Sequence, residues 1–113
     1  MSLETQNTEI SSGVPQYTMS RGVTTVRELW TEWYVGLCGC PSVEFLENTY
    51  GRKWRLSSKE AKYFSRRHRV IRYVQSLLNR DLSVDDALDK ADENRGKRSI
   101  DAFSKFLNSK KTF

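Results

Sequence analysis

Apolar side chains recur at steps of three and four along most of the chain, which is the spacing of one face of an α-helix. A first helix is predicted to begin at Thr25, because Thr25 and Glu28 form a capping box. A short second helix is predicted from Pro41 to Gly51, a glycine that can occupy the position after a helix end. The apolar positions of the first helix are Val26, Leu29, Trp30, Trp33 and Leu37.

The second half of the chain predicts three further helices. Ser57 with Glu60 forms another capping box and begins the longest one, over 58–78. Ser83 and Ser99 are the predicted caps of a fourth and a fifth helix, which we expect to support the longest one. Their inward positions are predicted to be Val84, Ala87, Leu88, Ala91, Ile100, Phe103, Phe106 and Leu107. No stretch alternates convincingly, so an all-α fold with about five helices is expected.

The domain limits follow from where the apolar anchors begin and end. Residues 1–22 are rich in polar side chains and predict a flexible N-terminal arm, in which Val14, Tyr17 and Met19 are the candidates for docking. Residues 23–109 predict one helical domain, with supporting helices over about 83–108, and 110–113 a short C-terminal tail. A chain of 113 residues suits a single core.

Charge is concentrated in one part of the chain. The net charge is +5, yet Gly51 to Tyr73 alone holds nine basic side chains against Glu60, a net of +8. The rest of the chain is therefore mildly acidic. A basic block of this kind is typical of proteins that bind a polyanion.

Helical spacing aligns much of this charge along the longest helix. Lys59, Lys62, Arg66, Arg69 and Tyr73 follow one another at steps of three or four, and Arg67 and Arg72 flank this line. Like charges so spaced repel each other unless an anion lies against them. A helix fits the major groove of B-DNA, and arginine is suited to guanine, so Arg66 and Arg69 are the candidates for reading bases.

A tight turn ahead of that helix carries more cations. Arg52, Lys53 and Arg55 surround Trp54 there, and they are predicted to meet backbone phosphates. Trp54, like Trp30 and Trp33, is predicted to fill the core, because large aromatic residues dominate small cores. A solvated helix surface remains the alternative for the basic line.

Other kinds of site find little support. Cys38, Cys40 and His68 are too few and too dispersed for a structural zinc site, so no metal or cofactor is expected, and the thiols are predicted to be reduced. No phosphate loop, nucleophile elbow or metalloprotease motif occurs, which predicts a protein that is not an enzyme. No run approaches the roughly 18 apolar residues of a membrane span, so no membrane partner is expected.

The motifs together resemble a known family. They are Thr25-Val26-x-Glu28-Leu29-Trp30-x-Glu32-Trp33, Gly36-Leu37-x-Gly39, Pro41-Ser42-Val43, Leu46-Glu47, Tyr50-Gly51-x-Lys53-Trp54-Arg55 and Phe64-Ser65-Arg66-Arg67. This pattern, over about 17–78, is similar to the C-terminal DNA-binding domain of fungal transcription activators of glycolytic genes. The resemblance identifies Lys53, Arg55, Arg66 and Arg67 as basic positions of the family type.

The resemblance implies sequence-specific binding of promoter DNA in the nucleus, with other transcription regulators as partners of regions outside this chain. A helix-turn-helix-like or Myb-like arrangement around the long basic helix is the expected architecture. The predicted DNA contacts are Arg52, Lys53, Arg55, Lys59, Lys62, Arg66, Arg67, Arg69 and Tyr73. A helical RNA-binding or protein-docking module is the alternative function.

Overall fold

The computed structural model describes residues 14–110, and these form five α-helices with no β-strand among them. They are α1 Val26–Tyr34, α2 Val43–Tyr50, α3 Ser58–Leu78, α4 Val84–Arg95 and α5 Ile100–Lys110, with a 3₁₀ turn at Gly51–Trp54 between α2 and α3. The predicted all-α class is confirmed.

Local capping chemistry explains where most helices begin. The side chains of Thr25, Ser57, Ser83 and Ser99 each accept a hydrogen bond from the backbone N–H three residues later. The reciprocal bond of the capping box is present only at Thr25, because Glu60 bonds elsewhere. The second helix differs from expectation, since Ser42 caps it and Pro41 lies outside.

The loop after α1 requires a glycine at position 36. Gly36 has a φ of +99°, and a Cβ there would lie 2.2 Å from the carbonyl oxygen of Cys40. Any other residue would therefore collide with backbone that cannot move aside easily.

Aromatic rings join α1, the 3₁₀ turn and α3 in one core. Trp33 stacks on Phe64 and His68 with ring centres 5.2 and 5.4 Å apart, and Trp54 meets the same Phe64 edge-on. Trp54 is 1% exposed and Trp33 6% exposed. The prediction that both fill the core is confirmed, whereas Trp30 is only half-buried and packs on Tyr34.

The two C-terminal helices complete the core. Asp92 of α4 accepts hydrogen bonds from the backbone N–H groups of Val26 and Arg27, so α4 caps the start of α1. Arg66 pairs with Asp101 and Arg69 with Ser104, and residue numbers rise together along the two helices. Helix α5 therefore runs parallel to α3. Its inward side chains are Ile100, Phe103, Ser104 and Leu107.

The segment before α1 belongs to the domain. Met19 is fully buried, and its backbone N–H donates to Glu60, while Tyr17 and the backbone of Ser20 donate to Glu32. The predicted boundary at residue 22 is thus too late for the described part of the arm, because two carboxylates hold this segment in place. The remainder of the predicted arm, 1–13, and tail residues 111–113 lie outside the described residues.

Candidate nucleic-acid interface

One face of α3 is open to solvent along the whole helix. Ser58, Lys62, Ser65, Arg69, Arg72 and Ser76 follow one another there at steps of three and four. We call these six residues the open face. Four of them are exposed, and only Arg69 and Ser76 are half-buried. The open face therefore carries three cations and no carboxylate.

The single acidic residue of α3 does not offset this charge at the surface. Glu60 is 9% exposed, and it pairs with Arg21 from the segment before α1. Burial raises the pKa of Glu60, but hydrogen bonds from Arg21 and the backbone of Met19 outweigh it and hold the pKa below its usual range. Glu60 is thus a charged, inward-facing anchor.

Helix α5 lies beside the predicted basic line and engages two of its arginines. Arg66 contacts Asp101 at 3.3 Å and is about one-third exposed, while Arg69 donates to Ser104 at 2.9 Å. Both side chains are half-buried; Arg69 belongs to the open face and Arg66 lies beside it. Helix α5 sets the orientation of both arginines, and it lies beyond residues 17–78, which carry the resemblance to the family.

Two of the predicted contact residues lie in the core. Arg67 is 3% exposed and pairs with Glu32, which is itself fully buried. Tyr73 is 8% exposed, meets Phe103 edge-on and accepts a hydrogen bond from Asn94. Neither side chain can touch DNA in this conformation, so their predicted role is corrected from contact to support. The physical reason is that α1 and α5 cover these two sides of α3.

The turn before α3 has two exposed cations and a third that is paired with a carboxylate. Arg52 and Lys53 are exposed, and the carbonyl of Lys53 accepts a hydrogen bond from the Gln16 side chain. Arg55 is held by two hydrogen bonds to Glu47, and its guanidinium lies 3.8 Å from the centre of the Phe64 ring. Arg55 therefore stiffens the turn that presents Arg52 and Lys53.

Glu47 ties the turn to α2. It accepts hydrogen bonds from the indole N–H of Trp54 and from Arg55. Burial raises the pKa of Glu47, yet these bonds prevail and keep the pKa below its ordinary value. The carboxylate is therefore charged near neutral pH, and it fixes the position of Arg55.

The half-buried His68, which stacks on Trp33, is expected to make the stability of the domain depend on pH. Burial lowers the pKa of His68, and the charge of Arg72 lowers it further. The unfolded chain then binds a proton more readily than the folded one, so stability is constant above about pH 6.5 and decreases as the pH falls below that value. Thermal melts between pH 7.5 and roughly pH 5 check this.

The control is His68→Gln, because His68 is the only histidine. We expect this variant to melt at a nearly constant temperature over the same pH range. The paired carboxylates with lowered pKa values, Glu47 and Glu60, lose their contribution only at more acidic pH. A wild-type melting temperature that rises as the pH falls would contradict the assignment.

The structure adds residues that were not among the predicted DNA contacts. Ser65 and Arg72 lie on the open face, while Gln16 supports the turn from the predicted arm. Arg72 flanks the basic line predicted from the sequence. Only the position of α5 shows which side of α3 is exposed to solvent. Helical periodicity alone does not carry that signal.

The described residues contain no group of three or more His, Cys, Asp or Glu side chains arranged to hold a metal ion. Cys38 and Cys40 are both exposed free thiols. None of the helices in residues 14–110 has the length and apolarity needed to cross a membrane.

Comparison with known proteins gives a consistent result. Residues 17–95 match the family of transcriptional activators of glycolytic enzymes. The chain is 30% identical over 81 residues to the high-osmolarity-induced transcription protein 1 of Kluyveromyces lactis, a match that covers 72% of this chain and 12% of that protein. It is 38% identical over 58 residues to a transcription factor-like protein of Saccharomyces cerevisiae, covering 51% of this chain and 13% of that protein.

The chain thus spans about one-eighth of the length of these relatives. No solved structure gives a significant match. The matched residues run from the docked segment before α1 to the end of α4, so they include α3 and the turn before it. This chain belongs to the family of transcriptional activators of glycolytic enzymes.

Proposed function

We propose that the chain is the DNA-binding domain of a nuclear transcription activator that acts on promoters of glycolytic and related genes. The observation that carries the proposal is the open face of α3, where Lys62, Arg69 and Arg72 are aligned without any carboxylate. Other transcription regulators are proposed to bind regions of the full protein outside this chain. A helix is the element that fits the major groove of B-DNA.

The parts of the interface have different proposed tasks. Arg69 and Arg66 are proposed to approach base edges, with their guanidinium groups oriented by contacts with Ser104 and Asp101 respectively. Lys59 and Lys62, with Arg52 and Lys53 of the turn, are proposed to contact phosphates, which position a protein without reading sequence. Arg72 extends this charge toward the C-terminal end of α3.

Selection from random DNA duplexes at physiological salt tests the proposal. We expect a preferred sequence to emerge, and we expect single strands of that sequence to compete poorly. The helical RNA-binding and protein-docking alternatives give a different result. If no sequence is enriched and single strands or RNA bind as well as duplexes, the proposal is wrong.

Replacing a base-reading arginine is expected to change specificity. Arg69→Ala should weaken binding to the selected duplex by about 1–3 kcal/mol more than binding to random duplex, because a bidentate contact with guanine is lost. Paired titrations of both duplexes measure the difference. Lys90→Ala, an exposed position on α4, is the control and should alter neither affinity. Equal losses on both duplexes would assign Arg69 to phosphate contact.

Replacing a phosphate-contacting lysine is expected to act on all duplexes alike. Lys53→Ala and Lys59→Ala each remove an exposed charge. Each should lower affinity for selected and random DNA equally and flatten the dependence of log K on log salt by about one unit. Titrations at several salt concentrations measure the slope. A slope equal to that of the wild-type protein would contradict phosphate contact at that lysine.

A further inference from the structure

Helix α5 lies along one flank of the open face. The hydrogen bonds from Arg66 to Asp101 and from Arg69 to Ser104 both join positions that are 35 apart in the sequence. Because α5 runs parallel to α3 at this constant offset, Lys105 lies level with the middle of α3. The family match ends at residue 95, so it does not cover α5.

The same two bonds show which side of α5 adjoins the open face. Asp101 marks this side, and Lys105 and Asn108 follow it at steps of four and three, which place all three on one side of the helix. Lys105 and Asn108 are both exposed. We call these two residues the α5 edge. The α5 edge therefore continues the surface that the open face of α3 begins.

The charge of the α5 edge is positive. Asp101 is the only acidic residue in the sequence of α5, and Arg66 pairs with it at 3.3 Å. Within residues 14–110, no ion pair holds the ammonium group of Lys105. A polyanion that lies against the open face would therefore also meet this unpaired cation.

The dimensions of B-DNA decide what the α5 edge would meet. The major groove is roughly 12 Å wide, which admits one helix. Helices that pack against each other have axes about 8–10 Å apart. When α3 lies in the groove, α5 is too far to the side to enter it as well. Helix α5 then lies over the sugar-phosphate backbone that borders the groove.

The turn before α3 lies on the opposite flank of this helix. The guanidinium of Arg55 in the turn is 3.8 Å from the ring centre of Phe64, whereas α5 engages Arg66. Residues two apart on an α-helix point about 160° away from each other. Lys53 of the turn and Lys105 of α5 therefore lie on different sides of α3, one toward each backbone that borders the groove.

We infer that α5 is a second DNA-contacting element, whose Lys105 binds a phosphodiester of one strand while the turn before α3 holds the other strand. The side-chain amide of Asn108 supplies a hydrogen-bond donor beside Lys105. This inference rests on the proposed function, because it requires α3 to lie in the major groove. It adds to that function a second element and the strand that this element contacts.

Salt titrations of the intact chain test the contact. Lys105→Ala should weaken binding to selected and random duplexes alike and flatten the dependence of log K on log salt by about one unit. Lys110→Ala is the matched control, because Lys110 is exposed on the same helix but lies about 140° around it, beside the Phe106 ring. It should leave affinity and slope unchanged. Asn108→Lys adds charge to the α5 edge and should steepen the slope. Equal slopes for the wild-type protein and Lys105→Ala would overturn the inference.

Duplexes that carry a neutral methylphosphonate at one backbone position at a time show which strand each lysine meets. The position that loses its effect in Lys105→Ala should lie on the strand opposite to the one that loses its effect in Lys53→Ala. Both positions on one strand, or no position that depends on Lys105, would overturn the inference. Thermal melts like that of the wild-type protein show that each variant is folded.

Failure of this inference differs from failure of the proposed function. If only the inference is wrong, Lys53→Ala and Arg69→Ala still impair DNA binding while Lys105→Ala does not. If the proposed function is wrong, none of the three variants changes binding to duplex DNA.

Discussion

Removal of residues 98–113, which deletes α5, is expected to unfold the domain. Ile100, Phe103 and Leu107 are each at most 4% exposed. Burying one such side chain contributes about 1.5–3 kcal/mol, so the three together approach the roughly 5–15 kcal/mol stability of a typical domain. Urea or thermal unfolding followed by circular dichroism measures the loss.

A shorter truncation is the control for α5. Removal of 111–113 alone leaves every described contact of the helix and should melt like the full chain. The family match ends at residue 95, before α5 begins. If the chain without α5 melts at the temperature of the full chain, α5 is an appendage and the open face extends over Arg66 and Tyr73.

Glu32→Ala is expected to be among the most destabilising single substitutions. Glu32 is fully buried and accepts hydrogen bonds from Arg67, Tyr17 and the backbone of Ser20. Its removal leaves the buried charge of Arg67 without a partner, at a cost of about 3–5 kcal/mol. Urea unfolding measures this difference in the free energy of unfolding.

Two controls separate the ion pair from general packing. Glu93→Ala, an exposed acidic position on α4, should change stability by no more than about 0.5 kcal/mol. The double variant with methionine at both Glu32 and Arg67 should recover part of the loss, because apolar pairs often replace buried ion pairs at little cost. A Glu32→Ala protein as stable as Glu93→Ala would contradict the assigned role.

The helices were predictable because their signals are local. Thr25, Ser57, Ser83 and Ser99 each act on a backbone N–H only three residues away, so sequence alone locates these helix starts. The same holds for the basic character of α3, because all its cations lie within one continuous segment.

The buried ion pair was not predictable in this way. In the sequence Arg67 looks like one more surface cation. Its ion-pair partner, Glu32, lies 35 positions away. The docking of the segment before α1 has the same origin, since Met19 bonds to Glu60 across 41 positions. Periodicity shows which residues share a face of α3, but the partner helices decide which face is covered.

Titration of the folded domain with its selected duplex, followed by backbone NMR signals, shows directly whether α3 is the DNA-binding helix. We expect the largest changes at Lys62, Ser65, Arg69 and Arg72 on the open face and at Arg52 and Lys53 in the turn. Signals of the exposed side of α4, at Lys90 and Glu93, should stay in place. Large changes on α4 with an unaltered α3 would contradict the assignment of α3 as the DNA-binding helix.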